Sequence, residues 1–194
     1  MPFDVEYFEI KDLILVKPRV FFDDRGYFLE TYKKSDFVDF GICCDFVQDN
    51  YSLSKKNVIR GLHYQVAPKA QGKLVSVKRG KIIDFAVDIR KNSATFGQYV
   101  GAELSSDNHF MLWIPAGFAH GFVSLEDNTV VTYKCTNEYS KEHERGIIWN
   151  DSDIGIDWRV ENPIISEKDI ELERLSAVCE AYKSGMGVEI EFCM

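Results

Sequence analysis

A histidine and a lysine stand in neighbouring apolar segments of the chain, where their side chains could converge on one interior. His63 lies within residues 59–65, and Lys73 begins the next apolar run. Strand alternation places Lys73 on the same face as Val75 and Val77, where an ammonium group is partly desolvated unless it meets an anion. A phosphate or a developing enolate oxygen would satisfy it. Alternation alone is equally consistent with a surface lysine at the start of a strand.

A second histidine, His120, follows a turn that is predicted by Pro115 and Gly117. The turn directs His120 into an apolar segment between Phe118 and Phe122. The imidazole could hydrogen-bond a substrate, or it could only hold the pocket together. The second role is the more common one for a lone histidine in an apolar turn, and the residues alone leave both open.

Hydrophobic alternation predicts that β-strands carry these side chains. In residues 80–90, Ile83 and Phe85 fall on one face while Asp84 and Ala86 fall on the other, which predicts a half-buried strand. Similar runs rich in β-branched and aromatic residues occur near 12–22, 45–53, 58–65, 73–79, 96–104, 109–115 and 128–135. Many short strands separated by turns indicate a mainly β protein, an antiparallel sandwich or barrel of the jelly-roll type.

Helices are predicted at two places. One follows Ser166, where apolar residues recur at spacings of three and four: Leu172, Leu175, Cys179 and Tyr182. A shorter helix is predicted after Ser35, with Gly41 as its stop. The last residues, 185–194, predict a turn and then a small strand, Val188 to Phe192.

Length and cysteine usage limit the class of protein. A chain of 194 residues fits one domain over 1–194, with its core at about 12–175 and a helix and tail after 166. Five cysteines without a C-x-x-C spacing predict reduced thiols rather than a disulfide framework or a zinc knuckle. The apolar stretch 13–16 is too short for a signal peptide or a membrane span, so we expect a cytoplasmic protein without a membrane partner.

The charge balance argues against a nucleic-acid partner. Lysine and arginine number 23 against 31 aspartates and glutamates, and the resulting net charge of −8 repels a polyanion unless basic residues cluster. A small anionic ligand is still compatible, because a few arginines and lysines in a pocket can bind a diphosphate whatever the net charge.

The spacing around the two histidines resembles the cupin motifs. Pro-x-Gly-x-x-His at 115–120 resembles the second motif, and His63, Gln65, Lys73 and Gly80 fall where the first motif places its metal ligands and closing glycine. A metal-binding cupin would carry a second imidazole in place of Gln65 and a carboxylate in place of Lys73. Because a permanent cation repels a divalent ion, we predict a site without a metal ion and a protein without a cofactor.

Over residues 12–175 the chain resembles a narrower group, the dTDP-4-dehydrorhamnose 3,5-epimerases. The segments that carry the resemblance are 22–30 (FDDRGYFLE), 46–52, 59–65, 71–75, 87–90, 113–122, 133–134, 148–151 and 156–158. The resemblance implies a cupin-type jelly roll and an isomerase of dTDP-L-rhamnose biosynthesis. Its partner would be a dTDP-linked 4-keto-6-deoxy sugar, inverted at C3 and C5. The resemblance also implies a homodimer with exchanged strands.

The resemblance implies four catalytic residues. His63 would be the base, Asp169 would orient its imidazole, Lys73 would stabilise the enolate oxygen, and Tyr133 would return a proton on the opposite face. Two of these residues also have purely structural interpretations. Asp169 lies three residues after Ser166, the spacing of a helix N-cap interaction, and Tyr133 could be an ordinary core tyrosine.

The same resemblance implies nine substrate-binding residues. Tyr139 would stack on the thymine ring, and the remaining positions would contact the diphosphate, the sugar or the base: Arg25, Glu30, Gln48, Asn50, Arg60, His120, Glu144 and Lys168. In the alternative interpretation, Arg25 belongs to the turn Asp-Asp-Arg-Gly, Tyr139 is an exposed loop residue, and Glu144 is one charge in the solvated run 141–145.

Three other functions fit part of the sequence. A related enzyme could invert only C3 or only C5, although a tyrosine at position 133 favours complete inversion. A metal-dependent cupin oxygenase is disfavoured by Gln65 and Lys73. A noncatalytic sugar-binding module would not exchange substrate protons with solvent.

Overall fold

The computed structural model describes residues 2–183. Its strands are β1 Phe3–Tyr7, β2 Ile14–Pro18, β3 Phe21–Asp23, β4 Gly26–Phe28, β5 Gln48–Ser54, β6 Ile59–Gln65, β7 Lys73–Arg79, β8 Lys81–Asp88, β9 Tyr99–Ser105, β10 Met111–Ile114, β11 Phe118–Ser124, β12 Thr129–Cys135 and β13 Glu144–Gly146. Its helices are α1 Lys34–Asp39, α2 Glu167–Ile170 and α3 Leu175–Lys183. The strand predicted at 188–192 lies outside the described residues. No helix in the described range is long and apolar enough to cross a bilayer.

Two antiparallel sheets form the body of the fold. One has the order β1-β2-β10-β7-β12-β5, and the other has the order β13-β6-β11-β8-β9. A separate hairpin of β3 and β4 projects from them. Strands that are adjacent in a sheet but distant in sequence are typical of a jelly roll, so the predicted mainly β, cupin-like fold is confirmed. In the five-stranded sheet, His63 on β6 pairs with His120 on β11.

Hydrophobic clusters occupy three layers. The space between the sheets holds residues such as Val75, Ala86 and Phe122. The outer face of the five-stranded sheet is covered by the segment that ends in α3, which brings Trp158 against this face. Helix α1 covers part of the other sheet, with the fully buried Phe37 at its centre. The strands between the layers, which carry His63 and His120, are thus packed on both faces.

The prediction that residues 80–90 form a half-buried strand is wrong. Seven of the eight residues of β8 are buried, and Asp84 and Asp88 are fully inaccessible to solvent. The cause is cover on both faces: Ile83 and Phe85 pack against the C-terminal segment, and the face that carries Asp84 and Ala86 packs against the other sheet. Asp84 therefore points into the space between the sheets rather than into solvent.

Two other local predictions need correction. His120 follows the turn at 116–117, but it lies on strand β11, which none of the predicted strands covers and whose residues are all buried. The predicted C-terminal helix is two helices, because Glu173 leaves the helical path to bridge with Ile147 and its carbonyl accepts a hydrogen bond from the N–H of Ile148. The predicted short helix is confirmed as α1, which Gly41 ends with a φ of +90°.

Candidate active site

A cavity of about 480 Å³ opens between the two sheets. A smaller cavity of about 140 Å³ adjoins it, and the two share His63, Lys73 and Tyr133 in their walls. His63 comes from the five-stranded sheet, whereas Lys73 and Tyr133 come from the six-stranded sheet. A ligand that lies between the sheets would thus meet an imidazole on one side and an ammonium and a phenol on the other.

His63 is paired with a buried carboxylate. Its Nε2 lies 2.7 Å from Oδ1 of Asp169, which is the third residue of α2. Burial raises the pKa of Asp169, but the hydrogen bond and charge of His63, the N–H of Gly61 and a hydrogen bond with the side chain of Ser166 more than offset this, so the pKa lies below its ordinary value. An ionised Asp169 that accepts from Nε2 fixes the ring of His63 and leaves Nδ1 as the ring nitrogen that can take a proton.

The helix cap and the histidine partner are compatible roles of one residue. Ser166 is the N-cap of α2, and its hydroxyl accepts a hydrogen bond of 3.2 Å from the N–H of Asp169. The backbone of Asp169 is thus used for the cap while its carboxylate is used for His63. The two interpretations of Asp169 that the sequence left open are therefore both satisfied by the geometry.

His120 forms a second histidine–aspartate pair in the same wall. Its Nε2 lies 2.7 Å from Oδ1 of Asp84, and both side chains are buried. Burial lowers the pKa of His120, Asp84 opposes this, and Lys73 and His63 lower it further. A neutral imidazole that donates from Nε2 to Asp84 keeps a lone pair on Nδ1, which can accept a hydrogen bond from a ligand hydroxyl.

Lys73 is the cation of the site. Its Nζ lies 3.4 Å from the carbonyl oxygen of His63. Burial lowers the pKa of Lys73, while Cys135, Asp84 and Glu144 act in the opposite direction. An ammonium held in low-dielectric surroundings, away from a tight ion pair, is well prepared to stabilise a negative charge that develops on a ligand oxygen.

Tyr133 is the phenol that faces the same space. Burial raises the pKa of Tyr133, Cys135 raises it further, and Arg60 opposes the rise, so the hydroxyl is protonated at neutral pH. The ring centroid lies 6.4 Å from that of His120. Within residues 2–183 the hydroxyl makes no hydrogen bond, whereas the hydroxyl of a buried tyrosine with a structural role usually has a hydrogen-bond partner.

Polar residues at the mouth of the cavities bind one another. Glu144 accepts a hydrogen bond of 2.8 Å from Tyr139 and forms an ion pair of 2.7 Å with Lys168. Gln48 donates to Asn50 and accepts from the N–H of Tyr139. These residues line the smaller cavity, except for Lys168, which lines the larger one with Arg60. The structure thus gathers them around one opening.

Two of the predicted binding residues are not brought to the cavities. Arg25 lies at the tip of the β3–β4 hairpin, with 89% of its side chain exposed, and its guanidinium pairs with Asp23. Glu30 follows the hairpin, and one of its carboxylate oxygens is buried without a hydrogen-bond partner in the described part of the chain. Neither residue lines the site of its own chain.

The arrangement is suited to moving a proton on a carbon next to a carbonyl group. A base with a fixed tautomer, a cation for the oxygen and a protonated phenol are the groups that such a reaction requires. Among residues 2–183, no group of three or more histidine, cysteine, aspartate or glutamate side chains is placed to hold a metal ion.

Comparison with known proteins gives a consistent result. The sequence profile of the dTDP-4-dehydrorhamnose 3,5-epimerases matches residues 7–177. The chain belongs to this family. The family enzyme of Shigella flexneri is 53% identical over 163 residues, which cover 84% of this chain and 90% of the relative.

Two crystal structures of family members show the same fold. The enzyme of Elizabethkingia anophelis NUHP1 superposes with a TM-score of 0.88 at 44% identity, covering 91% of this chain and 98% of the other. A dTDP-6-deoxy-D-glucose-3,5-epimerase of Legionella pneumophila Philadelphia 1, in complex with dTDP-4-keto-L-rhamnose, gives a TM-score of 0.87 at 42% identity, covering 91% and 94%.

Sequence reasoning missed two residues of this site. Asp84 was assigned to the polar face of a half-buried strand. An aspartate between apolar neighbours such as Ile83 and Phe85 can also indicate a buried carboxylate that has a partner. Ser52 lines the larger cavity, and its hydroxyl is buried without a hydrogen-bond partner within the described range. Serine is too common in strands for its position in the sequence to indicate this.

Proposed function

We propose that this chain is a dTDP-4-dehydrorhamnose 3,5-epimerase. It converts dTDP-4-dehydro-6-deoxy-D-glucose to dTDP-4-dehydro-L-rhamnose in dTDP-L-rhamnose biosynthesis. The observation that carries the proposal is the pairing of His63 with Asp169 on one wall of the cavity, opposite Lys73 and Tyr133 on the other. Membership of the family and the resemblance to a structure that contains a product sugar support the same substrate.

Proton removal is assigned to His63. Nδ1 of His63 takes the proton from a carbon next to the C4 ketone, the C–H electron pair moves into the carbonyl, and an enolate forms with its negative charge on the oxygen. Lys73 stabilises that oxygen, and Asp169 stabilises the imidazolium. These side chains supply the base and the charge stabilisation, so the reaction needs no cofactor. The same groups act at C3 and at C5.

Proton return is assigned to Tyr133. The phenol gives its proton to the enolate carbon from the sheet opposite His63, so the configuration at that carbon is inverted. His63 then releases its proton to water, and the phenolate regains one from water before the second carbon reacts. Burial raises the pKa of Tyr133 and so weakens it as an acid, and the positive charge of Arg60 opposes that rise by stabilising the phenolate.

Nucleotide binding is assigned to the mouth of the site. Arg60 and Lys168 supply positive charge for the diphosphate, and Tyr139 supplies a ring for the thymine. Gln48, Asn50 and Glu144 offer neutral and charged hydrogen-bonding groups beside it. His120 accepts a hydrogen bond from a sugar hydroxyl through Nδ1.

The active form is a homodimer in the cytoplasm. Arg25 and Glu30 lie away from their own cavity, so they contact substrate only if the hairpin reaches the site of a second subunit. The hairpin exposes 78% of Phe22 and 66% of Phe28, and large exposed aromatic side chains of this kind mark an interaction surface. A twofold dimer would give each site the partner's hairpin.

The proposal is tested with His63→Ala in deuterium oxide. The variant should lose both deuterium exchange into the sugar and epimerisation, at least about 10³-fold, because His63 is the accessible histidine of that wall, whereas His120 is buried beside Asp84. Circular dichroism and a thermal melt should match wild type. A folded variant with normal turnover would overturn the assignment of the base.

A further inference from the structure

Gln65 occupies an unusual position for a residue that performs no chemistry. It lies two residues after His63 on β6, so its side chain points to the same side of the sheet, and it lines the smaller cavity. Its side chain is almost entirely buried, at 5% exposure. A buried amide next to a reactive histidine needs hydrogen-bond partners, and their identity indicates what the residue does.

The amide of Gln65 is fully used by backbone groups of two loops. Nε2 donates to the carbonyl oxygens of Lys69, at 2.5 Å, and Glu138, at 3.2 Å. Oε1 accepts from the N–H of Ser140 at 2.7 Å. Both N–H groups of the amide are used by the loops, and its oxygen already accepts one hydrogen bond there, so Gln65 acts on the site through the loops that it holds.

The loop at 136–143 has internal hydrogen bonds that join Ser140 to His143, whereas the backbone around Tyr139 is also held by side chains from other segments. Two further glutamines hold it: Gln48 accepts from the N–H of Tyr139 at 2.8 Å, and Gln71 donates to the carbonyl of Asn137 at 2.6 Å. We define the glutamine clamp as Gln48, Gln65 and Gln71. Of the three, Gln65 is the only one that contacts the loop on both sides of Tyr139.

We propose that Gln65 is a positioning residue that pre-orders the Tyr139 loop for the nucleotide half of the substrate. This proposal rests on the proposed function, in which Tyr139 meets the thymine ring. The side chain of Tyr139 is 54% exposed, so its orientation depends on the hydrogen bond of its hydroxyl to Glu144, at 2.8 Å, and on the backbone beneath it. A loop that is already ordered pays less conformational entropy when the nucleotide binds.

The test compares Gln65→Met with wild type and with a matched control. Methionine has a similar length and volume but cannot bond the loop. The same substitution at Gln98, which is exposed and makes no side-chain hydrogen bond in the described structure, is the control. Gln65→Met should raise the Kd for thymidine diphosphate in calorimetry, and the KM for the sugar nucleotide, about tenfold. It should leave kcat and its pH profile within about twofold.

A double-mutant cycle with Tyr139 decides whether Gln65 acts through the loop. Tyr139→Ala alone should weaken thymidine diphosphate binding, and adding Gln65→Met should weaken it by less than about twofold more. Additive effects, or a Gln65→Met variant with lower kcat and unchanged KM, would overturn the proposal. If Gln65→Met does not fold, Gln71→Met, which removes one loop bond, should show a smaller change of the same kind.

The wild-type protein separates failure of this inference from failure of the proposed function. Wild type that neither binds thymidine diphosphate nor turns over the sugar nucleotide would contradict the function itself. Wild type that does both, with a Gln65→Met variant of unchanged Kd and KM, would contradict only the clamp.

Discussion

Two histidine–aspartate pairs with the same 2.7 Å separation have different surroundings. The side chain of His63 is 29% exposed and faces both cavities, whereas that of His120 is 7% exposed and is held beside the fully buried Asp84. Burial keeps His120 neutral, so it can orient a ligand but is a poor acid. The more accessible His63 can reach a carbon acid and exchange its proton with water afterwards.

Removing the hydroxyl of Tyr133 should separate the two halves of the reaction. Tyr133→Phe keeps the base and the cation, so proton removal and deuterium exchange continue, but protons return only on the face from which they left. NMR of the sugar should show exchange with at least about tenfold less inversion. Wild-type inversion in this variant would mean that another group is the acid.

Replacing Lys73 should lower the activity of the protein and raise its stability. Because its pKa in the folded protein lies below the ordinary 10.5, the unfolded chain binds the proton more tightly, and burial of the ammonium costs stability at any pH below 10.5. Lys73→Met should therefore raise Tm by about 2–4 °C while kcat falls by about 10³. A lower Tm in a thermal melt would contradict this account.

The same shift predicts a pH limit for wild-type activity. Lys73 loses its proton at a lower pH than an ordinary lysine does, so kcat should begin to decline on the alkaline side well below pH 10.5. A stopped assay between pH 6 and 10 measures this. A kcat that stays constant up to pH 10 would show that the charge of Lys73 is not needed.

Strands were predictable from runs of β-branched and aromatic residues, whether or not their burial alternates. The sequence predicted β6, β7 and β12 within a few residues, and it also predicted β8 and β10, although both faces of these strands are buried. Strand β11 (FAHGFVS) contains a glycine and one β-branched residue, and it lay in none of the predicted strands. Its neighbours in the sheet, and not its own pattern, determine its conformation.

The candidate site was predictable from family resemblance rather than from local pattern. His63, Lys73 and Tyr133 line one cavity, as the resemblance implied. The burial of Asp84 could not be predicted from alternation, because the face of β8 that carries Asp84 and Ala86 is covered by the other sheet. Predicting that cover requires the packing of the two sheets, which the pattern within β8 does not contain.

Helix α2 has only four residues and depends on its cap. Ser166→Ala removes the hydrogen bond to the N–H of Asp169, which should cost about 1 kcal/mol of stability and loosen the carboxylate that orients His63. We expect kcat to fall about three- to tenfold with KM unchanged. Ser152→Ala, at an exposed serine without a side-chain hydrogen bond within residues 2–183, is the control and should match wild type in both kcat and Tm.

At the scale of the whole molecule, the space between two sheets places acid and base on opposite walls. The five-stranded sheet contributes His63, which α2 pairs with Asp169, and the pair of His120 and Asp84. The six-stranded sheet contributes Lys73 and Tyr133. A substrate carbon between the walls can lose a proton to one and gain it from the other. Inversion thus follows from the architecture, provided that the nucleotide holds the sugar still.

The dimer is predicted to complete the site. Phe22→Asp combined with Phe28→Asp should convert the protein from a dimer to a monomer in sedimentation velocity experiments, because both rings are exposed in the single chain. The monomer should bind thymidine diphosphate at least about tenfold more weakly, since it lacks the partner's Arg25. Wild type that sediments as a monomer with full activity would exclude this role for the hairpin.

The proposed reaction is a double epimerisation without a metal ion, and NMR of the substrate measures it at each carbon. Chelator-treated protein is incubated with dTDP-4-keto-6-deoxyglucose in deuterium oxide, and exchange at C3 and C5 is followed separately while a 4-reductase traps the product. We predict exchange at both carbons and formation of dTDP-rhamnose. Exchange at one carbon would make the protein a single-site epimerase, and no exchange, or exchange only with added metal, would contradict the account.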